Sequence, residues 1–172
     1  MKKKALFITT EQLKRKSIIE GNVDDDKLIQ FIEVAQDIHI QNYLGTDLYT
    51  KLQELIVTDV IGDIENEKYK LLIDEYIAPM LTWYAQSSYL PFASYYISNG
   101  GVLKHSGENS VTTELEDVNS MLARVNEQAG FYARRFVEFM KDRGDDYPEY
   151  KSTDCDGSMK ADDEADMFNW VL

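Results

Sequence analysis

The sequence predicts an all-α fold: a small bundle of about four to five helices, with a short β-hairpin or extended-loop insertion and an extended C-terminal tail. Apolar residues recur at helical spacing in windows near residues 28–38, 69–84 and 115–139. A polar segment at 102–111 lacks this spacing. At 172 residues the chain is long enough for one domain with a real core.

The first 23 residues predict a basic arm followed by a short helix over residues 10–19. Residues 1–16 contain six Lys or Arg residues and a single acid, Glu11. Gly21 and Asn22 then break the helical pattern. Asp24, Asp25 and Asp26 suit the start of the next helix, where carboxylates meet the positive end of the helix dipole. A metal site is the alternative interpretation of the three aspartates, and capping is the favoured one.

A pair of helices is predicted on either side of Gly45. Gly45 favours the left-handed conformation that ends helices, and the Thr46 hydroxyl suits the N-cap of the helix that follows. The first helix has a predicted packing face of Leu28, Phe31, Ile32, Ala35 and Ile38. The second has a stripe of Leu48, Leu52, Leu55 and Ile56.

Residues 66–90 form the most apolar part of the chain and predict a helix with a wide buried stripe. Pro79 lies inside this stripe and lacks a backbone donor, so a kink or break is expected there. The Asn99-Gly100-Gly101 sequence is interpreted as a stop. The segment 102–111 then predicts a β-hairpin or extended loop, with its turn at residues 106–109.

The last long helix is predicted from a capping box at Thr113 and Glu116. Its apolar seam is expected to pack on the helix at 66–90 within one subunit, in preference to a coiled-coil dimer. The seam consists of Leu115, Val118, Leu122, Val125, Ala129, Tyr132, Phe136 and Phe139. The opposite face mixes cations with apolar groups and suits an acidic partner surface or solvent: Met121, Arg124, Phe131, Arg134 and Arg135.

The C-terminal residues 144–172 predict an acidic, extended arm, with nine acids and two lysines. The arm ends in large apolar residues, including Phe168 and Trp170, which are costly to expose. Docking onto the chain's own fold or onto another subunit is therefore expected. The predicted organisation is an arm and short helix at 1–23, a helical domain at 24–143 with the hairpin near 102–111, and the acidic arm at 144–172.

Composition and charge restrict the classes of function. The formal net charge of −13 disfavours binding to the nucleic acid backbone, so sequence-specific DNA recognition is not expected. Such a surface still suits a wall past which DNA slides. One cysteine, Cys155, cannot form a disulfide within the chain. We find neither a signal-peptide h-region nor an apolar run long enough to span a membrane, and expect a soluble intracellular protein.

The sequence nominates no catalytic, cofactor or metal site. Two histidines and one cysteine do not match zinc spacing, and no phosphate-binding loop or nucleophile elbow is present. His39 is interpreted as structural and His105 as exposed. Residues 154–157 resemble the start of a calcium loop, but its glycine comes too early and its bidentate Glu position fails. We therefore expect a protein that is not an enzyme and needs no cofactor or metal.

Several short motifs, in their order and spacing, resemble the head–tail connector (adaptor) proteins of tailed bacteriophages, and most of all the set in crAss-like phages. The resemblance extends over about residues 29–150. The motifs are Ala35-Gln36-Asp37, Tyr43-Leu44-Gly45-Thr46, Leu48-Tyr49, Tyr69-Lys70-Leu71-Leu72, Tyr76-Ile77-Ala78-Pro79, Pro91-Phe92, Asn99-Gly100-Gly101-Val102, Ser106-Gly107-Glu108-Asn109-Ser110, Phe131-Tyr132 with Arg135, and Tyr147-Pro148-Glu149-Tyr150.

This resemblance implies a structural virion protein: a subunit of a neck ring, commonly of about twelve copies, that joins the portal to the tail and lines the DNA channel used in ejection. The implied partners are further copies of the chain, the portal protein, and tail or other neck proteins, with non-sequence-specific passage of DNA and no membrane. The implied location is the virion neck, after assembly in the host cytoplasm. Candidate contacts between subunits are Val102, Leu103, Arg134, Arg135, Tyr147, Pro148, Tyr150, Phe168 and Trp170.

A second hypothesis remains open. The chain could be an acidic helical module that binds a basic partner, as an inhibitor or a DNA mimic. The two hypotheses differ in assembly, since a connector joins a ring of defined copy number and a mimic acts as a monomer or dimer.

Overall fold

The computed structural model describes residues 4–19, 23–93, 95–98, 101–104, 115–151 and 159–163. Over these residues the protein is a small helical bundle, so the predicted all-α class is confirmed. Its α-helices are α1 (Thr10–Arg15), α2 (Asp25–Ala35), α3 (Gln41–Val57), α4 (Glu67–Leu72), α5 (Ala78–Tyr89), α6 (Leu115–Arg143) and α7 (Pro148–Lys151). A two-stranded antiparallel hairpin, β1 (Tyr95–Ser98) and β2 (Gly101–Lys104), lies between α5 and α6.

The N-terminal segment is part of the core. Phe7, Ile8, Leu13 and Ile19 are buried in the same cluster as the main helices. A capping box at Thr9 begins α1, because the Thr9 side chain accepts from Gln12 N while the Gln12 side chain accepts from Thr9 N. The helix ends at Arg15 rather than Ile19. Residues 6–19 are therefore better described as a layer of the bundle than as an arm outside it.

Asp24 begins α2, and its carboxylate accepts a hydrogen bond from Asp26 N at 3.0 Å. This geometry confirms the capping interpretation of the aspartates. A π-helical turn, Gln36–Ile40, joins α2 directly to α3. This wider turn brings Gln36 and Ile40 inward and leaves Ile38 54% exposed. The prediction that Ile38 belongs to the packing face is therefore wrong.

Gly45 divides α3 into two helical segments that meet at a kink, as the sequence predicted. Its φ of 72° and ψ of 166° combine positive φ with an extended ψ, rather than the left-handed helical pair that was expected. The helix resumes at once. The Thr46 hydroxyl accepts a hydrogen bond from Met159 N instead of capping its own helix.

The kink expected at Pro79 takes the form of a second π turn. Ile73–Ile77 is π-helical and lies between α4 and α5, immediately before Pro79 near the start of α5. A π turn displaces the carbonyl that would otherwise meet the proline ring, so the chain continues as a helix. The predicted stripe is largely buried: Tyr69, Leu72, Ile73, Ile77, Met80 and Leu81.

The hairpin lies earlier in the chain than predicted. Tyr95 pairs with Lys104 and Ser98 pairs with Gly101, so two residues, Asn99 and Gly100, separate the strands. Asn-Gly between two short strands is the strongest short-range hairpin signal, and its interpretation as a stop did not use that signal. Residues 105–114, which contain the expected turn, His105 and the Thr113 cap, lie outside the described residues.

Helix α6 has 29 residues and is about 43 Å long. It packs along α5, as predicted. Its buried stripe is centred in the C-terminal half: Val125, Ala129, Ala133, Phe136, Val137 and Met140. Val118 and Leu122 are only half-buried and Met121 is 42% exposed, so the first half of the helix has a more open surface.

The predicted extended arm begins with helical turns. Gly144–Asp146 form a 3-10 turn and Pro148–Lys151 form α7, with Tyr147 buried between them. Its large apolar side chain gives this acidic stretch a core contact, so the prediction of an extended chain is wrong for residues 144–151. Phe168, Trp170 and residues 154–157 lie outside the described residues.

Candidate functional site

The helix pair α2–α3 holds segments from both ends of the chain, and its motif residues make the contacts. Gln36, in the Ala-Gln-Asp motif, is completely buried. Its Oε1 accepts from Phe7 N at 2.8 Å, and its Nε2 donates to Ala5 O at 2.9 Å and to Tyr49 Oη at 3.1 Å. One amide side chain thus satisfies three groups that the N-terminal segment and α3 bring together.

A second amide side chain completes this arrangement. Gln53 Oε1 accepts from Ala5 N at 2.6 Å and Gln53 Nε2 donates to Ala5 O at 2.7 Å. Lys4 forms an ion pair with Asp37, and Tyr49 Oη donates to the other oxygen of Asp37 at 3.0 Å. Burial raises the pKa of Tyr49 to about 12. Side chains therefore replace the backbone partners that a strand would give this segment.

Residues 159–163 occupy the helix break at Gly45. In a continuous α-helix, Thr46 N would donate to Asn42 O. Here Thr46 N donates to Met159 O at 2.9 Å, and Asn42 O accepts from Asp162 N at 2.9 Å. The C-terminal segment is thus inserted into one opened helical hydrogen bond. We call this arrangement the clasp: Asn42, Gly45 and Thr46 with residues 159–163.

Two side-chain hydrogen bonds reinforce the clasp. Thr46 Oγ1 accepts from Met159 N at 2.9 Å, and Asn42 Nδ2 donates to Asp162 Oδ2 at 3.3 Å. A Cβ at Gly45 would lie 2.9 Å from Ala161 N and 3.0 Å from Met159 O. Glycine is therefore required here twice, for its positive φ and for the close approach of the C-terminal backbone.

An aromatic cluster lies beneath the clasp. His39 stacks on Tyr84 with ring centroids 4.0 Å apart, and the Tyr84 and Tyr43 hydroxyl oxygens are 3.3 Å apart. Burial lowers the pKa of His39 to about 4, and it raises the pKa of Tyr84. Asp162 adds a smaller upward effect on the pKa of Tyr43 and Tyr84. His39 thus packs on a partly buried tyrosine, and its structural role stays a prediction.

An exposed apolar surface lies beside the hairpin. Phe92 is 60% exposed, and its ring centroid is 5.7 Å from that of Phe31, which also meets Tyr89. On α2 and its π turn, Val34 is 45% and Ile38 54% exposed. We call this surface the apolar edge: Phe31, Val34, Ile38, Tyr89 and Phe92. Exposed apolar groups in such numbers are typical of interaction surfaces.

Two open grooves flank α4. An acidic groove of about 410 Å³ surrounds Ile64, which is 90% exposed. Its lining consists of Gly62, Asp63, Ile64, Glu67, Lys70, Leu71, Asp74 and Glu75. The other groove, of about 540 Å³, contains Lys68 and Arg143. Both of these cations are bound to Asp146, through its carbonyl and its carboxylate respectively.

The predicted contact residues are divided between core and surface. Tyr147 is buried by its own chain and donates to Lys68 O at 3.1 Å, so its ring is not available to a neighbouring subunit. Tyr150 packs on Phe136, and burial raises its pKa to about 12. Arg135 is exposed and lies over the Tyr76 ring, with 5.0 Å between the guanidinium carbon and the centroid.

The remaining candidates lie on α6, α7 and β2 or outside the described residues. Arg134 is half-buried on α6 and Pro148 is exposed at the start of α7. Val102 and Leu103 lie on β2, opposite Ile97 and Tyr96. Phe168 and Trp170 belong to the residues that are not described. Among the candidates that lie in the described residues, Tyr147 is in the core, whereas Arg135 and Pro148 are on the surface.

Sequence reasoning missed the clasp and the apolar edge. The Asn42, Gly45 and Thr46 spacing carried a signal for the clasp, because a glycine inside a helical pattern leaves backbone groups open. Nothing in the local pattern indicated that residues 159–163 would fill them. The apolar edge was missed because Phe31 and Ile38 have the same helical spacing as the residues of the core.

Among the described residues, no group of three or more His, Cys, Asp or Glu side chains is arranged to hold a metal ion. Within the same part of the chain, no helix combines the length and apolar character needed to cross a membrane.

Comparison with known proteins gives one match. A family model described as a family of unknown function, DUF6712, matches residues 40–158, which is more than half of the chain. No curated protein and no solved structure matches the chain. The matched span contains the Gly45 break, the hairpin and α6. The chain therefore belongs to the DUF6712 family.

Proposed function

We propose that the protein is a subunit of an oligomeric head–tail connector ring in a tailed bacteriophage. In this role it joins the portal to the tail and lines the DNA channel. The observation that carries the proposal is the apolar edge beside the hairpin. A ring subunit must offer surface to two neighbours through heterologous contacts that close. Exposed Phe92, Ile38 and Val34 provide apolar area of the kind that association buries.

The fold supports the proposal at a coarser level. The resembled connectors are helical with a short β insertion, and here a helical bundle has a two-stranded hairpin between α5 and α6. An isolated two-stranded hairpin is marginal in stability. Pairing with a neighbour or with another ring would extend its sheet and stabilise it.

The motif residues explain the frame of such a subunit. Gln36 fixes the N-terminal segment, and Gly45 with Thr46 holds residues 159–163. These residues keep both ends of the chain on one helix pair, so hairpin and apolar edge are presented from a fixed frame. Their role in the proposal is positioning, and the contacts to neighbours lie elsewhere.

The charge of the chain supports a channel wall. A net charge of −13 disfavours tight contact with the DNA backbone, which suits a surface past which the genome moves. In the proposed ring, acidic side chains of the middle of the chain face the lumen. A ring structure with a mainly basic lumen would contradict this assignment.

Microscopy of purified particles is the decisive experiment. The protein is expected at the neck, between portal and tail, as a ring of defined copy number, and antibody labelling should mark the same place. Its absence from particles that carry a complete neck would overturn the proposal.

A variant pair tests the apolar edge. Phe92→Ser combined with Ile38→Ser should reduce incorporation into portal-containing complexes by at least about tenfold, a loss of roughly 1.4 kcal/mol of association free energy. Ile64→Ser is the matched control, because Ile64 is more exposed but lies in the acidic groove. Equal incorporation of both variants would exclude the edge as the contact surface.

The acidic groove supports a second candidate function, a module that binds a basic partner. Four acids surround the exposed apolar groups Ile64 and Leu71, a combination that suits a cationic segment with an apolar side chain. A charge-reducing variant, Glu67→Gln with Asp74→Asn, should then abolish binding to a basic protein. Unchanged binding by this variant would exclude the groove as the binding site.

A further inference from the structure

The hydrogen bonds of the clasp give the C-terminal segment a direction along the helix pair. Met159 binds Thr46 through its main-chain oxygen and nitrogen, and Asp162 N donates to Asn42 O. Between residues 159 and 162 the segment therefore passes from Thr46 to Asn42, about one helical turn back toward the start of α3. The segment runs antiparallel to α3, and the residues after Asp162 begin on the side of Asn42 that is nearer to the π turn.

The next side chains in that direction belong to the apolar edge. Ile38 and Val34 precede Asn42 at successive intervals of four residues, a spacing that keeps side chains on one side of a helix. Phe31 lies three residues further back, and its ring meets that of Phe92. Val34, Ile38 and Phe92 are between 45% and 60% exposed. The edge therefore continues the line of the clasp with apolar groups that are open to solvent.

Residues 164–172 are long enough to cover this surface. Phe31 is eleven residues before Asn42, which corresponds to about 16 Å along a helix axis. An extended chain advances about 3.3 Å per residue, so these nine residues can span roughly 30 Å. Phe168 is reached after about 16 Å and Trp170 after about 23 Å. The two aromatic side chains therefore fall within reach of Phe31 and of the residues next to it.

The composition of residues 164–172 matches the surface that they can reach. The stretch lies outside the described residues, and its sequence has five large apolar residues: Met167, Phe168, Trp170, Val171 and Leu172. Exposure of such side chains costs free energy, and so does exposure of the edge. The rings of Phe31, Tyr89 and Phe92 also offer aromatic partners at one end of the edge. Docking of one on the other removes both apolar surfaces from water.

We propose that the apolar edge is the docking surface for residues 164–172 of the same chain, with Phe168 and Trp170 packed along it. The segment then covers the edge in the free subunit. A regulatory consequence rests on the proposed ring function: a neighbouring subunit must displace the segment before it binds the edge. The apparent affinity of the edge for a neighbour is reduced by the fraction of chains in which the segment is docked.

Tryptophan fluorescence of the full-length chain tests the docking. Trp83→Phe removes the other tryptophan and keeps a ring at this half-buried position. Trp170 emission should then be blue-shifted and several-fold less sensitive to acrylamide than a free tryptophan side chain. Phe92→Ser combined with Ile38→Ser should restore full sensitivity. Ile64→Ser is the matched control and should change nothing, because Ile64 is exposed outside the edge.

Two results of this measurement would overturn the docking. One is a Trp170 that is fully accessible to acrylamide before the edge is altered. The other is a Trp170 that stays protected in the edge variant while circular dichroism shows that the helices are intact, because the segment would then be docked elsewhere.

A second measurement approaches the contact from the segment and does not require the edge variant to fold. Phe168→Ser with Trp170→Ser should uncover the edge and increase binding of a hydrophobic dye several-fold. Adding Phe92→Ser and Ile38→Ser should remove this increase. Unchanged dye binding in the segment variant would contradict the proposal, and so would an increase that persists when a folded edge variant is combined with it.

Dilution distinguishes docking within one chain from docking on a second copy. Within one chain, the protection of Trp170 should be the same at all protein concentrations at which the mass is that of a monomer. Protection that is lost on dilution would assign the segment to a neighbouring copy and exclude the proposal.

The regulatory consequence has its own readout. On incorporation into portal-containing complexes, Trp170 should become as sensitive to acrylamide as it is in the edge variant, and unchanged protection would exclude displacement. If the protein forms a neck ring although Trp170 is exposed in the free chain, the docking fails and the connector role stands. If Trp170 is protected by the edge but the protein is absent from particle necks, the connector role fails and the docking stands.

Discussion

The two ends of the chain are docked on the same helix pair by opposite means. Residues 5–8 bring Phe7 and Ile8 into the core, and the side chains of Gln36 and Gln53 satisfy their backbone. Residues 159–163 bury only Ala161 and are held by backbone groups opened at Gly45. Apolar burial makes the first segment part of the fold, whereas the second is an attachment that can be changed separately.

The largest expected effect comes from the N-terminal segment. Ile8→Ala should lower the free energy of unfolding by about 2–5 kcal/mol, because it removes buried methyl groups and leaves a cavity. Denaturant unfolding gives this value. Ile64→Ala is the control, since the same substitution at a 90% exposed residue should change stability by less than about 0.5 kcal/mol. Similar losses in both variants would contradict the core assignment.

The stability of the protein should depend on pH through His39, which lies beneath the clasp. Its folded pKa of about 4 lies below the ordinary 6.5, so the unfolded chain binds this proton more readily between those values. Stability should therefore fall by about 1–3 kcal/mol as the pH drops from 6.5 to 4. His39→Phe keeps a ring on Tyr84 and should remove this part of the pH dependence. If the pH dependence of stability is unchanged in His39→Phe, the loss of stability at low pH comes from carboxylates instead.

Gly45→Ala should cost about 1–3 kcal/mol through backbone strain. Its Cβ should also displace residues 159–163, which fluorescence or proteolysis at the segment would detect. Gly62→Ala is the matched control, because nothing lies within 4 Å of its Cβ position. That variant should be neutral or slightly stabilising. A stable Gly45→Ala variant with its clasp intact would refute the close-approach argument.

The substitution with the smallest expected effect on stability should distinguish most clearly how the two ends of the chain are held. Thr46→Val removes the acceptor for Met159 N and should cost about 1 kcal/mol. Hydrogen exchange should then be faster at the Met159 amide and unchanged at the Phe7 amide, which donates to buried Gln36. Thr50→Val, on an exposed position of the same helix, should alter neither amide. Coupled changes at both ends would show that they form one unit.

The helices could be predicted from the sequence because the spacing of their apolar residues reflects which side chains are buried. The stripes around Leu28 and Phe136 are visible in the chain itself, and so is the Asp24 cap. The hairpin register was missed because Asn99-Gly100 is also a common stop. Gln36 shows more clearly what cannot be predicted from the sequence. A buried glutamine is indistinguishable from an exposed one until its distant partners, Ala5 and Phe7, are placed beside it.

The candidate surfaces were less predictable than the fold. Tyr147 was expected at a contact between subunits, yet its hydroxyl and ring are used internally. The apolar edge could not be separated from the core by spacing alone. The π turn at Gln36–Ile40 changes which residues face inward, and no local sequence rule gives its position.

Each π turn is, in effect, one residue inserted into an α-helix. Losing a residue from Gln36–Ile40 or from Ile73–Ile77 would restore regular winding, and every side chain beyond it would rotate by about 100° about the helix axis. Helix length would change by only about 1.5 Å. Insertions and deletions at these two places would therefore re-orient whole faces of α3 or α5 with little change in overall dimensions.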